Sequence, residues 1–430
     1  MNKRRVVATG IGMITSCGRG WQPYWSAALE AKSHINYLRQ ISLNGFPSKL
    51  GGEISDFEPS KMIKNRKSLK VMSKAIMFAV VASEYAMADS GVALNQVDLT
   101  RFGVSLGTGI INNDLDELAT GIREGLDDSG KFDMGLFGQH GLRSLFPLLF
   151  LKYLPNMPAC HISITHGLKG PSNTITTSAA AGTQAIGEAF RVIERGDADM
   201  MLAGSTDSKL NAMGISRFHL LGFLSRRNHV PATAYCPFDE NHDGIILGEG
   251  AGLLMLEELE HAKARGAKIY GEIKGYGSSS DFIHDPRATG DFTGKCFSMK
   301  RALKDASREP SEVDAIFANG SGIPLEDSQE VQAIHDVFEK KTDKLRVTGL
   351  KPITGHLIYG SGGVECAATL LSLQNQIIPP LANLKKPHRD CELPFVCEVP
   401  QAGNFRTLLF NSFGFGGQDA SLVVAKYESR

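Results

Sequence analysis

The chain has no excess of charge of either sign: Lys and Arg total 46 and Asp and Glu total 46 in 430 residues. That balance removes the general attraction for nucleic acid or an anionic membrane surface and leaves only a local basic patch for an acidic partner. There is no apolar run long enough to span a bilayer, because the longest, Leu145 to Leu154, is interrupted by Pro147 and Lys152. The opening "MNKRRVVATGIG" passes from a basic start into a strand-like segment without the apolar core of a signal peptide, so a cytoplasmic location is expected. Cysteine is sparse: seven are scattered at 17, 160, 236, 296, 366, 391 and 397 with no CxxC pair. That excludes a disulfide framework and a zinc site of the usual spacing, and it points to free thiols in a reducing compartment. No low-complexity linker divides the chain.

What is abundant is glycine, 46 residues, concentrated where apolar strands meet helices. "RRVVATGIGMIT", "FGVSLGTGIINN", "ADMMLAGSTDS" and "VDAIFANGSGIP" each read as a buried strand followed by a Gly turn, and "TLLFNSFGFGGQDASLVVAK" repeats the pattern. Amphipathic helical stretches lie between them, notably Ser73 to Gly91 and Gly182 to Asp199. This alternation predicts an α/β architecture with largely parallel sheets. Two similar halves are expected, 1–257 and 258–430, the second opening near "GAKIYGEIKGYGSSSD". An irregular, Phe- and Leu-rich insert at about 115–158 reads as a cap or interface region outside the sheets.

The stretch "NTITTSAAAGTQAIGEAF", Asn173 to Phe190, has the build of a strand, a tight turn of small residues and a helix. Such an elbow displays a nucleophile, and its helix start offers free N–H groups to an anion or oxyanion. No Cys occupies its apex, so as a bare stretch it reads as a tight packing turn. Three more stretches stand out. "KPITGHLIYGSGGVE" sets Lys351 and His356 beside a Gly-rich turn, where an imidazole can polarise a carbonyl. "NSFGFGGQDAS" alternates aromatics with glycines, so that Phe415 could swing as a gate, and "FANGSGIPLEDSQE" is a strand end, a polar loop and a helix. Each alone is also what turn chemistry produces.

Together and in this order they resemble the β-ketoacyl-(acyl carrier protein) synthases of the elongating type, members of the thiolase superfamily. The likeness covers essentially the whole chain, from "VVATGIGMIT" through "GLKGPSNTITTS", "GDADMMLAGSTD" and "CPFDENHDGIILGEGAG" to "NSFGFGGQDAS". It implies an α/β thiolase fold of five layers, αβαβα, built from two duplicated halves. It also implies a dimer whose central sheets join across the two-fold axis. No metal or diffusible cofactor is implied; substrates travel on the phosphopantetheine of an acyl carrier protein.

The pattern breaks at two catalytic positions. Active members read T-A/S-C-x-x-G at the elbow, whereas "TSAAAG" puts Ala179 at the Cys position, and a methyl group cannot form a thioester. The His of the family's N-A-H-G-T-S-T-P loop is matched by Asn319, which does not titrate near neutrality. Of two Thr hydroxyls that hold the phosphopantetheine arm, one survives as Ser321 and the other is lost at Ile323. Lys351, His356 and Glu365 match the family, and Phe413 and Phe415 match its Gly-Phe-Gly gate.

Three functions are compatible with this pattern. The first is a non-catalytic partner resembling the chain-length factors of type II polyketide synthases. It would form a heterodimer with an active, Cys-containing ketosynthase in polyketide or specialised fatty-acid (polyene-type) assembly. Ile110, Ile111, Leu148, Leu149 and Phe150 are then the candidates for shaping the acyl tunnel. The second is an active condensing enzyme in which Ala179 is an engineered replacement of Cys, a reading that leaves Asn319 unexplained. The third is a decarboxylase of malonyl-carrier substrates, which the loss of one histidine disfavours.

Overall fold

The computed structural model describes residues 3–41, 43, 45–110, 115–282, 292–339 and 345–428. Ten principal strands organise it. The first half contributes β1 (Val6–Thr15), β2 (Phe102–Gly107), β3 (Ser172–Ile175), β4 (Met200–Ser208) and β5 (Glu249–Glu258). The second contributes β6 (Gly271–Ser280), β7 (Ala315–Phe317), β8 (Arg346–Thr348), β9 (Thr407–Phe413) and β10 (Gln418–Ala425). Their spatial orders are β3-β2-β4-β5-β1 and β8-β7-β9-β10-β6. In both halves the sequence of strands is third, second, fourth, fifth, first. In both, the third, second and fourth run parallel and the fifth runs antiparallel to its neighbours. The sets join edge to edge where Val6–Ala8 of β1 pairs with β6.

Six helices separate and cover the sheets. α1 (Lys74–Ser90) and α2 (Met157–His166) pack outside the first sheet, burying Phe78, Val81 and Ile162 against Phe102 and Val104. α3 (Ala181–Arg195) and α6 (Ser361–Asn375) fill the space between the sheets, with Ile186, Phe190 and Leu370 meeting Leu254, Phe410 and Leu422. α4 (Thr293–Asp305) and α5 (Pro324–Phe338) cover the second sheet through Met299, Leu303 and Ile334. Thirteen of the fifteen residues of α6 are buried, as befits a helix enclosed on all sides. α1 starts where Ser73 accepts from the Ile76 amide and stops at Gly91, whose φ is +64°.

Two expected Gly turns are absent. β1 continues through Gly10 and Gly12, with a shift of register between Ala8 and Gly10, and β4 continues through Gly204. Gly10 and Gly12 serve packing instead: a Cβ at either would overlap the backbone of α1 near Ala82 and Ala86. From Leu115 to Pro155 the described chain forms one ten-residue helix, Leu115–Glu124, an isolated bridge between Leu126 and Phe132, and otherwise short helical turns. This segment exposes Phe132, Met134, Leu142, Phe146, Leu148 and Phe150, the last at 70 %. Among the described residues no helix is long and apolar enough to cross a membrane, and no group of three or more His, Cys, Asp or Glu is placed to hold a metal ion.

Candidate active site

β3 ends at Ile175, and the chain passes through a tight 3-10 turn, Ser178–Ala180, into α3. Ser178 has φ +54°, a left-handed conformation that a non-glycine residue holds only where its surroundings impose it. Ala179 follows at the apex, 1 % exposed. Gly182 allows the burial, since a Cβ there would overlap Ser205 and crowd Gly363 of α6. The elbow therefore sits where the two halves meet, and the group it displays is a methyl.

Asn319 lies just beyond β7. Lys351, on the short helix Lys351–Thr354, donates from Nζ to the Asn319 carbonyl (2.5 Å), to Asn319 Oδ1 (3.2 Å) and to Glu365 Oε2 (2.9 Å). Asn319 Oδ1 also accepts from the Phe413 amide at 3.2 Å. The side-chain oxygen at the position expected for an imidazole is thus already shared by an ammonium and a backbone N–H. Below it, the Asn319 and Gly320 amides donate to the two oxygens of buried Glu330 at 2.7 and 2.8 Å. Burial pushes the Glu330 carboxyl up to about 7, against the pull of those two amides. Glu365 is likewise raised by burial, with Lys351 opposing the shift.

His356 is fully buried, and its Nδ1 accepts from the Ile358 amide at 3.0 Å. That bond assigns the ring proton to Nε2, which has no hydrogen-bond partner among the described residues. Burial, and secondarily Lys351, holds the imidazole well below its ordinary pKa, so it is neutral. A neutral imidazole with a free N–H can donate to a carbonyl or enolate oxygen. The Phe415 ring lies 5.4 Å from the His356 ring and packs on Phe223 (5.1 Å) and Phe218 (6.2 Å).

The loop between β9 and β10, which carries Phe415, is anchored from beneath. Lys295 of α4, 1 % exposed, pairs with Asp281 (3.3 Å) and Glu326 (3.4 Å), and its Nζ lies 5.6 Å from the Phe413 ring centroid. The Asp281 amide donates to the Gly417 carbonyl at 2.8 Å. Asp419, at the start of β10, is buried beside them and held well above the usual carboxylate range by that burial. Three acids from three distant segments thus surround one lysine.

The fold gathers Ala179, Asn319, Lys351, His356, Phe413 and Phe415 into one buried junction. Ser321 is buried beside it, its hydroxyl donating to Asp327 (3.3 Å) and accepting from the Ile323 amide (3.1 Å). Ile110 and Phe150 stand on the protomer surface, and Ile111 lies outside the described residues. Sequence reasoning missed Glu330 and Lys295. The acids of "PLEDSQE" were the available signal for the first, whereas Lys295 sits in "TGKCFSMKRALKD", a stretch charged enough to pass for an exposed helix face.

Residues 3–262 match the family described as Beta-ketoacyl synthase, N-terminal domain, and residues 270–385 match Beta-ketoacyl synthase, C-terminal domain. The chain is 35% identical over 428 residues to a 3-oxoacyl-[acyl-carrier-protein] synthase 2 of Synechocystis sp., covering 100% of this chain and 99% of that one. Among solved structures, the ishigamide ketosynthase/chain length factor superposes with a TM-score of 0.86 at 29% identity, over 99% of this chain and 100% of that one. A type II polyketide acyl-carrier protein complex with its ketosynthase, bound to the hexaketide, gives a TM-score of 0.84 at 29% identity over the same shares.

Proposed function

From a chain that belongs to the β-ketoacyl synthase family, of its elongating type, yet ends its elbow in a methyl group, we infer a non-catalytic partner subunit. It pairs with a Cys-containing ketosynthase, completes the heterodimer and closes part of that partner's acyl tunnel, in polyketide or specialised fatty-acid (polyene-type) assembly. Ala179 occupies the nucleophile position and Asn319 the first histidine position, while Lys351 and His356 keep the family's residues without the sulfur they would serve. The observation that carries this reading is their joint state: a buried methyl at 179 and an Asn319 oxygen already taken by Lys351 and Phe413. One engineered exchange explains the first and not the second.

Other features support the same reading. Two similar structures are a ketosynthase/chain length factor and a ketosynthase in complex with its acyl-carrier protein. An acyl carrier protein is the partner that brings substrate to the complex, and the setting is cytoplasmic. The apolar side chains of the 115–158 insert suit a subunit interface, with the exposed Ile110 and Phe150 toward the partner's tunnel. The halves divide near 257/258, in keeping with the repeated strand order. Ser321, Phe413 and Phe415 line the approach to the junction.

Co-expression with a Cys-containing paralogue tests the proposal. A heterodimer that makes 3-oxoacyl product, with neither chain active alone, is the expected result; condensation by this chain alone in its natural sequence overturns it. A second reading rests on the free Nε2–H of His356, which can stabilise an enolate after loss of CO2. Release of CO2 from malonyl carrier protein by this chain alone would establish that decarboxylase.

A further inference from the structure

The elbow at Ala179 has a structural twin in the second half. α3 and α6 each spring from a three-residue 3-10 turn, Ser178–Ala180 and Ile358–Gly360. The first residue of each turn is left-handed, with φ +54° at Ser178 and +51° at Ile358. The residues that close the turns, Ala180 and Gly360, have φ −75° and −77°, both with ψ −14°. By that correspondence the apex of the second elbow is Tyr359, and the two turns pack against each other.

The Tyr359 side chain is firmly held. Its ring lies flush on Gly109, where a Cβ would overlap it, and the Ile110 amide is aimed at its hydroxyl. Lys209 Nζ sits 5.0 Å from the ring centroid and donates to the Ile110 carbonyl (2.5 Å) and to Asp207 Oδ1 (2.8 Å). The Tyr359 amide reaches the other oxygen of buried Asp207 at 3.4 Å. The ring is therefore clamped beyond the C-terminal ends of β2 and β4, the side of the sheet from which α3 and its elbow emerge. In open α/β sheets that is where ligands lodge.

We propose that Tyr359 is the acyl stop of this chain: clamped on Gly109 and Ile110, it fills the space beside the first elbow, so that position 179 seats nothing longer than an acetyl group. This rests on the partner-subunit reading and adds to it a barrier of shape, separate from the missing sulfur. A partner's growing chain would then be confined to the partner's own side of the pair.

The experiment introduces a reporter thiol. Ala179→Cys and Ala179→Cys/Tyr359→Gly are exposed to acetyl and octanoyl thioesters of N-acetylcysteamine, and loading is followed by intact-protein mass. In the reaction the Cys thiolate attacks the thioester carbonyl and a new C–S bond forms. The bond to the cysteamine sulfur breaks, and the departing thiolate takes up a proton. Iodoacetamide labelling of both variants calibrates thiol access, and Ala179→Cys/Tyr359→Phe, which keeps the bulk, replaces the comparison should the glycine variant fail to fold. The octanoyl-to-acetyl rate ratio is expected to rise at least tenfold on removing the ring and to stay low with Phe. An unchanged ratio between Tyr and Gly, a raised ratio with Phe, or no loading of any variant by either thioester overturns the proposal. None of these outcomes bears on whether the natural chain condenses alone, so the two readings fail separately.

Discussion

Restoring sulfur to the elbow would not restore the rest of the site. In Ala179→Cys the new thiol has no imidazole at position 319, only an amide whose oxygen is held by Lys351 and the Phe413 amide. Condensation of acyl and malonyl carrier proteins by that variant alone is expected to remain at background, and measurable product would favour the engineered-enzyme reading. Glu330 gives a second expectation. Its folded-state pKa of about 7 lies above the ordinary 4.5 of a free glutamate, so the folded protein holds this proton across a range where the unfolded chain releases it. The resulting stabilisation is complete below the lower value and is lost as pH rises through the upper one, about 3 kcal/mol in all. Glu330→Gln cannot titrate, so the urea midpoint of wild type should fall relative to that of the variant as pH rises from about 5 to about 8; parallel curves would refute this. Lys295 belongs to the same scale: Lys295→Met leaves three buried acids without their cation, at a cost of roughly 3–5 kcal/mol read from the same unfolding curves.

At the scale of elements, the first strand of each half meets its covering helix through paired glycines. Gly10 and Gly12 lie under Ala82 and Ala86 of α1, and Gly275 and Gly277 lie under Ser298 and Ala302 of α4. Gly277→Val would push α4 off β6, an overpacking that costs typically 1–3 kcal/mol and sometimes more, about the same as Gly12→Val on the other side. Matched losses in melting temperature are the expected readout, and a tolerated valine at either site would show that the helix can move. The strands and helices themselves were legible, because β1 and α1 announce themselves by apolar runs and by Ser73 and Gly91. The glycines misled: a residue without Cβ reads as a turn, whereas here it marks a close approach that only the neighbouring helix reveals. The twin elbows were hidden for a related reason, since "TSAAAG" and "HLIYGS" share a backbone path and almost no side chains.

For the whole molecule, the five-layer thiolase fold with duplicated halves was implied by the family resemblance that the motifs carry, and the repeated strand order displays the duplication in the chain itself. The site was only half legible. Ala179, Asn319, Lys351 and His356 sit in motifs, but Lys295 depends on Asp281, Glu326 and Asp419, each far away in sequence. Association is testable at this scale. Phe150 and Ile164, exposed at 70 % and 68 %, should lie in a subunit contact, and Phe150→Asp with Ile164→Asp is expected to weaken assembly at least tenfold in sedimentation velocity, with the protomer still folded. β3 closes the same argument. It is hydrogen-bonded on one side only, to β2, among the described residues, and three residues past its end stands Ser178. A strand laid along its bare side by another subunit would brace the floor beneath position 179 from outside. The two centres of such a pair then share a common beam, and slackening the seam between them loosens both at once.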